Sequence, residues 1–178
     1  PFNHSQDASL SFWLNTPAEG HSAIIWGRED DNCQSRFHLY LDGNGDSGEL
    51  GFDYFDAGCE GHPIFHADQG TSATIRANEW THVAITRTES SYSIFIDGDL
   101  KQSVTYMANG NLPNASGWQV AGRSGFFFEG SIDDLRLYDR SLSVNDIKTL
   151  QSGFDSLTIF PGPNQYGAST ITVLLEDR

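Results

Sequence analysis

The chain is poor in several things at once. Of its 178 residues only two are lysine, one is methionine and two are cysteine. Ten Lys and Arg face 24 Asp and Glu, a formal charge of −14, which repels nucleic acid and anionic membrane surfaces rather than gathering them. No apolar run approaches the roughly 20 residues needed to span a bilayer, and no charged-then-apolar leader opens the sequence. The expectation is a water-exposed region of an extracellular protein, with its acidic surface solvated. No C-x-x-C is present, so a structural zinc site would need Cys33 and Cys59 to converge with His62 and His66. The two cysteines stand in Gly- and Asp-rich contexts, where a single pair in an extracellular-looking domain is expected as a disulfide; two free thiols are the alternative.

Helix is also scarce. Short alternating or apolar runs separated by turn residues recur along the chain, the pattern of a sandwich or barrel. Strands are expected over residues 9–15, 22–28, 36–42, 49–55, 71–76, 79–87, 92–98, 101–107, 118–123 and 130–139. In the run 79–87, Thr81, Val83 and Ile85 form the core-facing set, with Trp80, His82, Ala84 and Thr86 turned the other way. The expected core comprises Phe12, Leu14, Ile24, Leu39, Leu41, Val83, Ile85, Ile94, Ile96, Val120, Ile132 and Leu137. Asp97-Gly98-Asp99 and Asp42-Gly43-Asn44-Gly45 read as hairpin turns, because Gly and Asn accept positive φ. The second also imitates a calcium loop, with acids or amides at positions 1, 3 and 5 and Asp53 at position 12. Ser47 stands where the turn glycine belongs, Asp replaces the bidentate Glu, and strands flank it, so the hairpin reading is preferred. One helix is expected over 143–151, with Ser143 capping, Asp146 completing the cap and Gly153 ending it. After it, Pro161-Gly162-Pro163 breaks regular structure before a β-rich run at 169–175. The domain is therefore placed at 1–153. The remainder, 154–178, is a linker followed by either an extra strand of the sandwich or the first strand of an Ig- or cadherin-like neighbour, the second being preferred.

Four stretches in order, SLSFWLNTP, EWTHVAITR, YSIFIDGDLK and FFFEGSIDDLRLYDRSLSVNDIKTL, carry a resemblance to laminin-G-like modules of the concanavalin A-like group, covering residues 9–150. The last is the most specific. The resemblance implies an all-β fold of two antiparallel sheets in a jelly-roll-like sandwich with one short helix. It also implies a calcium ion near the Ile-Asp-Asp strand and an early loop, which here points to Asp133, Asp134 and Asp7. Such modules usually open with one more strand than is found before Ser9. Either the segment given omits it or the C-terminal run takes its place.

The sandwich hosts glycosidases and lyases as well as lectins, so the site has to decide. A retaining glycosidase needs carboxylates about 5 Å apart, which along one strand means alternating acids; no E-x-D-x-E run exists, and Glu49, Asp53 and Asp56 have the wrong period to share one face. No G-x-S-x-G elbow is present. The expected function is non-catalytic ligand binding within an extracellular multidomain protein, with carbohydrate or a cell-surface glycan or protein as partner. A spacer or protein-binding module of an adhesin-like surface protein is the alternative, and a glycoside hydrolase or polysaccharide lyase the weaker third. Sugar rings stack on aromatic faces while carboxylates, amides and Arg hold hydroxyls. The candidate ligand residues are accordingly Arg28, Asp30 and Asp31 ahead of Cys33, Tyr54, Phe55, Glu60, His62 and His66 around Cys59, and Phe127. In the Phe126-Phe127-Phe128 run, Phe128 and Phe126 are expected inside and Phe127 outside.

Overall fold

The computed structural model describes residues 7–28, 36–55, 61–65, 73–88, 90–105, 117–123 and 126–153. In chain order the strands are β1 (Ala8–Asn15), β2 (Glu19–Arg28), β3 (Arg36–Asn44), β4 (Ser47–Phe55), β5 (Gly61–Phe65), β6 (Thr74–Arg76) and β7 (Thr81–Thr88). They continue with β8 (Ser91–Ile96), β9 (Asp99–Thr105), β10 (Gly117–Val120), β11 (Gly122–Arg123), β12 (Phe126–Phe127) and β13 (Ser131–Tyr138), followed by helix α1 (Val144–Gln151). A five-stranded sheet runs β13-β1-β7-β8-β9. A six-stranded sheet runs β10-β2-β3-β4-β5, with β6 also pairing β4, and β11 and β12 form a small ribbon. All the pairings are antiparallel. The all-β sandwich with one short helix is thus observed.

The core lies between the two sheets. Alternation feeds it: Leu10, Phe12 and Leu14 from β1, Leu39 and Leu41 from β3, Leu50 and Phe52 from β4, Val83 and Ile85 from β7 and Ile94 and Ile96 from β8 are all buried there. Each such side chain contributes roughly 2 kcal/mol by leaving water. Phe52 and Tyr92, from opposite sheets, meet with ring centroids 5.4 Å apart. The Arg87 guanidinium lies 5.6 Å from the Tyr92 ring centre, and burial pushes the Tyr92 hydroxyl up to about 12.

Two expected core residues are not in it. Val120 is 46% exposed and Leu137 52%, and Ile132 is only half-buried. Val120 pairs with buried Ile25 and Leu137 with buried Leu10, so both have the inward parity. They stay exposed because β10 and β13 are edge strands. Residues 61–65 form a strand where the sequence reading places none: β5 is an edge, where a residue without an N–H is tolerated, and Pro63 sits beside a register shift. The outward set of β7 is also buried, since α1 covers that face through Ala84, Phe95, Leu142 and Ile147.

Turn and cap chemistry follows the sequence. Asp97 and Gly98 both have positive φ, as a two-residue hairpin requires. In the β3–β4 turn, Asn44 Oδ1 accepts from the Asp46 and Ser47 amides, so the calcium-loop look-alike is a hairpin. Ser143 and Asp146 form a reciprocal capping box, and Gly153 has φ +67°. The Ser9 hydroxyl donates to the Arg140 carbonyl and accepts from the Leu142 amide, tying the approach to α1 onto β1.

Candidate functional site

On β3 the residues between the core leucines point out of the sandwich: His38, Tyr40 and Asp42. Register sets Asp53, Gly51 and Glu49 of β4 opposite them, in that order, and His21 of β2 opposite Asp42. The outer face of the six-stranded sheet thus carries a strip of rings flanked by carboxylates. Gly51 makes the strip flat, because a Cβ there would lie 2.1 Å from the Tyr40 ring. His38 stacks on Tyr40 with centroids 5.0 Å apart and planes at 29°, and the His21 ring lies 5.0 Å from Tyr40 and 6.0 Å from His38, so the three rings form one cluster. His21 Nδ1 and Asp42 Oδ1 are 2.5 Å apart.

Burial divides the strip. His38 and Tyr40 are covered, while the side chains of His21 and Asp42 are 38% and 44% exposed. The covered rings are a rigid backing, and His21, Asp42 and half-buried Glu49 are what a ligand could reach. None of these residues is among the ligand candidates of the sequence, where Asp42 enters only through the calcium-loop look-alike and Glu49 only as a catalytic acid. Strand alternation had placed Glu49 and Asp53 on one face, but His21 and Asp42 come beside them only through cross-strand register.

The register also changes the question of paired acids. Glu49 and Asp53 are four residues apart, about 13 Å along a strand, too far for either glycosidase geometry. Asp42 and Glu49 are directly opposed, which brings their Cβ atoms to about 5 Å. Alternation along single strands does not bring that pair together.

The loop candidates fare differently. Arg28 ends β2, Arg36 begins β3, Phe55 ends β4 and Gly61 begins β5, and register sets these backbone positions at one end of the sheet. The two connections holding the cysteines therefore leave from the same end, and Tyr54 is paired with His62. Asp30, Asp31, Cys33, Cys59, Glu60 and His66 lie outside the described residues, as do the side chains of Arg28, Tyr54, Phe55 and His62. Phe127 is 75% exposed and Phe128 buried, as alternation required; the Phe126 side chain lies outside the described residues.

The expected calcium set does not come together. Ser9 pairs Tyr138 and Trp13 pairs Asp133, so Asp7 lies beyond one end of the β1–β13 ladder and Asp133 toward the other, roughly 20 Å away at strand rise. Asp133 Oδ1 accepts the Asp134 amide, and Asp134 pairs with Arg136 at 3.0 Å. Asp134 has φ +51° where β13 carries one extra residue against β1, so these two acids shape a bulge. Among the described residues no group of three or more metal-ligating side chains gathers.

Two other polar features stand on the five-stranded sheet. His82 is buried, with Nε2 2.9 Å from the Ser11 hydroxyl and its ring 5.3 Å from Trp13. Burial pulls its pKa down from 6.5 to about 4, against the attraction of Asp97. An open cleft between the β8–β9 turn and α1 is lined by Asp97, Asn145, Lys148, Thr149, Gln151 and Ser152. Its hydroxyls are already committed, Thr149 to the Asn145 carbonyl and Ser152 to the Thr149 carbonyl.

The sandwich, its strand order and its capped helix now stand beside a family profile that matches residues 1–148, described as the concanavalin A-like lectin/glucanases superfamily in its laminin G form. The chain belongs to this family. A search of curated proteins finds no match for the sequence. Among solved structures, the botulinum neurotoxin serotype D ligand binding domain in complex with N-acetylneuraminic acid superposes with TM-score 0.60 at 17% identity, over 83% of this chain and 36% of that one. The binding domain of Paraclostridial Mosquitocidal Protein 1 gives 0.60 at 19%, over 87% and 39%. A heptameric SAP-like pentraxin from Limulus polyphemus gives 0.58 at 14%, over 83% and 70%. These likenesses show a shared fold, and the chain spans under two fifths of the toxin domains it matches.

Proposed function

We propose that this superfamily member is a non-catalytic carbohydrate-binding module of an extracellular multidomain protein. The observation that supports this most is the strip on the outer face of the six-stranded sheet: an exposed His21 edge backed by stacked Tyr40 and His38 and bordered by Asp42 and Glu49. The exposed His21 edge, beside carboxylates able to accept two hydroxyls, suits a neutral or amino sugar better than an anionic one. The net charge of −14 argues the same way. Two neighbours in fold are a botulinum neurotoxin ligand binding domain, in complex with N-acetylneuraminic acid, and the binding domain of a mosquitocidal protein, which fits a module that binds glycans. An extracellular setting agrees with this, and among the described residues no helix is long and apolar enough to cross a membrane.

Screening the chain on a glycan array and a displayed-peptide library, with and without calcium, tests the proposal. The expected result is a sugar hit whose affinity falls at least tenfold in H21A and E49Q, equivalent to 1.4 kcal/mol. If Y54A/H62A or F127A abolishes binding instead, the ligand sits on the loops at the other end of the sheet. Peptide hits alone favour the spacer or protein-binding module.

Glycoside hydrolysis is a second reading with one specific observation behind it, the facing Asp42–Glu49 pair. Asp42 is already engaged by His21. Release of reducing sugar from a bound glycan, lost in both D42N and E49Q, would establish it.

A further inference from the structure

The reachable part of the His21 strip runs across the strands rather than along one of them. Register aligns four outward positions in a single row: His21 of β2 stands opposite Asp42 of β3, Asp42 opposite Glu49 of β4, and Glu49 opposite Thr74 of β6. Three strand spacings separate the ends of the row, about 14 Å. Along β3 the next outward side chains, Tyr40 and His38, are only 3% and 5% exposed, so a ligand following that strand would meet covered rings. Every member of the row can be touched: Thr74, His21 and Asp42 are exposed and Glu49 is half-buried.

The row is also chemically uncommitted over half its length. His21 engages Asp42, but among the described residues the side chains of Glu49 and Thr74 enter no hydrogen bond or ion pair. Like charges directly opposite each other destabilise a sheet, and sugar hydroxyls donating to Asp42 and Glu49, or an ammonium between them, would offset that repulsion. Resting on the carbohydrate reading above, we propose that the row is a run of subsites for an extended, β-linked glycan of neutral or amino sugars, laid across β2, β3, β4 and β6 with one unit to each strand. The spacing carries the assignment. Neighbouring strands stand about 4.8 Å apart, close to the length of one pyranose unit in an equatorially linked chain, so successive units meet successive side chains in step. Glycans with axial linkages coil and fall out of step.

Calorimetric titration of the 178-residue chain with β-1,4-linked oligomers of glucose, mannose and glucosamine, from the single sugar to the hexamer, tests this. The expected result is that in at least one series affinity rises about fivefold with each unit up to the tetramer, the worth of one net hydrogen bond, and is level beyond it. E49Q should weaken binding of every oligomer, whereas T74A should erase the gain from the fourth unit, so that trimer and tetramer bind it alike. Thr74 is exposed, so its substitution does not threaten the fold. Affinity that levels off at one unit overturns the row, as does a T74A profile identical to that of the unsubstituted chain, or silence in all three series. A single-unit plateau that still depends on His21 and Glu49 overturns the row alone and leaves the carbohydrate reading standing. Length-dependent binding that survives both H21A and E49Q places the sugar elsewhere and overturns the row together with the strip.

Discussion

Gly51 and Tyr40 show how one missing side chain shapes a surface. The Tyr40 ring lies where a Cβ at 51 would be, so the glycine is required by a neighbour rather than by backbone angle. G51V should cost about 2 kcal/mol through overpacking, read as a lower urea midpoint. In a Y40A background the same substitution should cost much less, because the obstruction is gone. His82 gives a second test. Its folded pKa is about 4 against 6.5 in an unfolded chain, so between those values the unfolded state holds more protons and stability falls as pH drops. Compared with H82Q, the unsubstituted protein should lose stability more steeply from about pH 6.5 to 4 and match its slope above pH 7. An identical slope in both would mean that the imidazole is solvated.

At the scale of elements, α1 is a short helix that relies on its start. Ser143 and Asp146 satisfy each other's backbone amides, and the Arg140 guanidinium and both Ser143 groups hold the Asp146 carboxyl well below the usual range. S143A should lower stability by about 1 kcal/mol, and I147A by about 3 kcal/mol because Ile147 fills the contact with Ala84 and Phe95. Denaturant titration of both variants checks the ratio. Much of this level was legible in the sequence: the cap, the Asp97-Gly98 turn and the alternation of β1, β3 and β7 are local signals, and local signals survive into the fold. What was not legible depended on neighbours. Alternation cannot tell an edge strand from a central one, so Val120 and Leu137 read as core. Nor could it show that β7 is covered on both faces, or that Asp42 faces Glu49, since those facts belong to sheet order and register. Gly61 and Pro63 are turn residues by composition, and only an edge position makes a strand of them.

For the whole molecule, the cysteine connections matter most. The connections at 29–35 and 56–60 leave the six-stranded sheet from one end, and a Cys33–Cys59 bridge across them is the expectation. Mass spectrometry of unreduced peptides from protein prepared under oxidising conditions should find it. Reduction should then remove about 3 kcal/mol on the chain-entropy account for a loop of this length. Two free thiols would refute the pairing.

The order of the β1–β13 ladder carries a consequence for a domain strung between others. Ser9 is paired with Tyr138, so the start of β1 lies beside the end of β13, and a pull on the two ends of the domain acts at the same end of that ladder. Once α1 is peeled away, the load falls on one hydrogen-bonded pair at a time, in series, and the strands unzip. Ladders pulled from opposite ends are sheared instead and share the load among all their bonds. Under tension applied at its two ends this domain should therefore yield early, lengthening at low force.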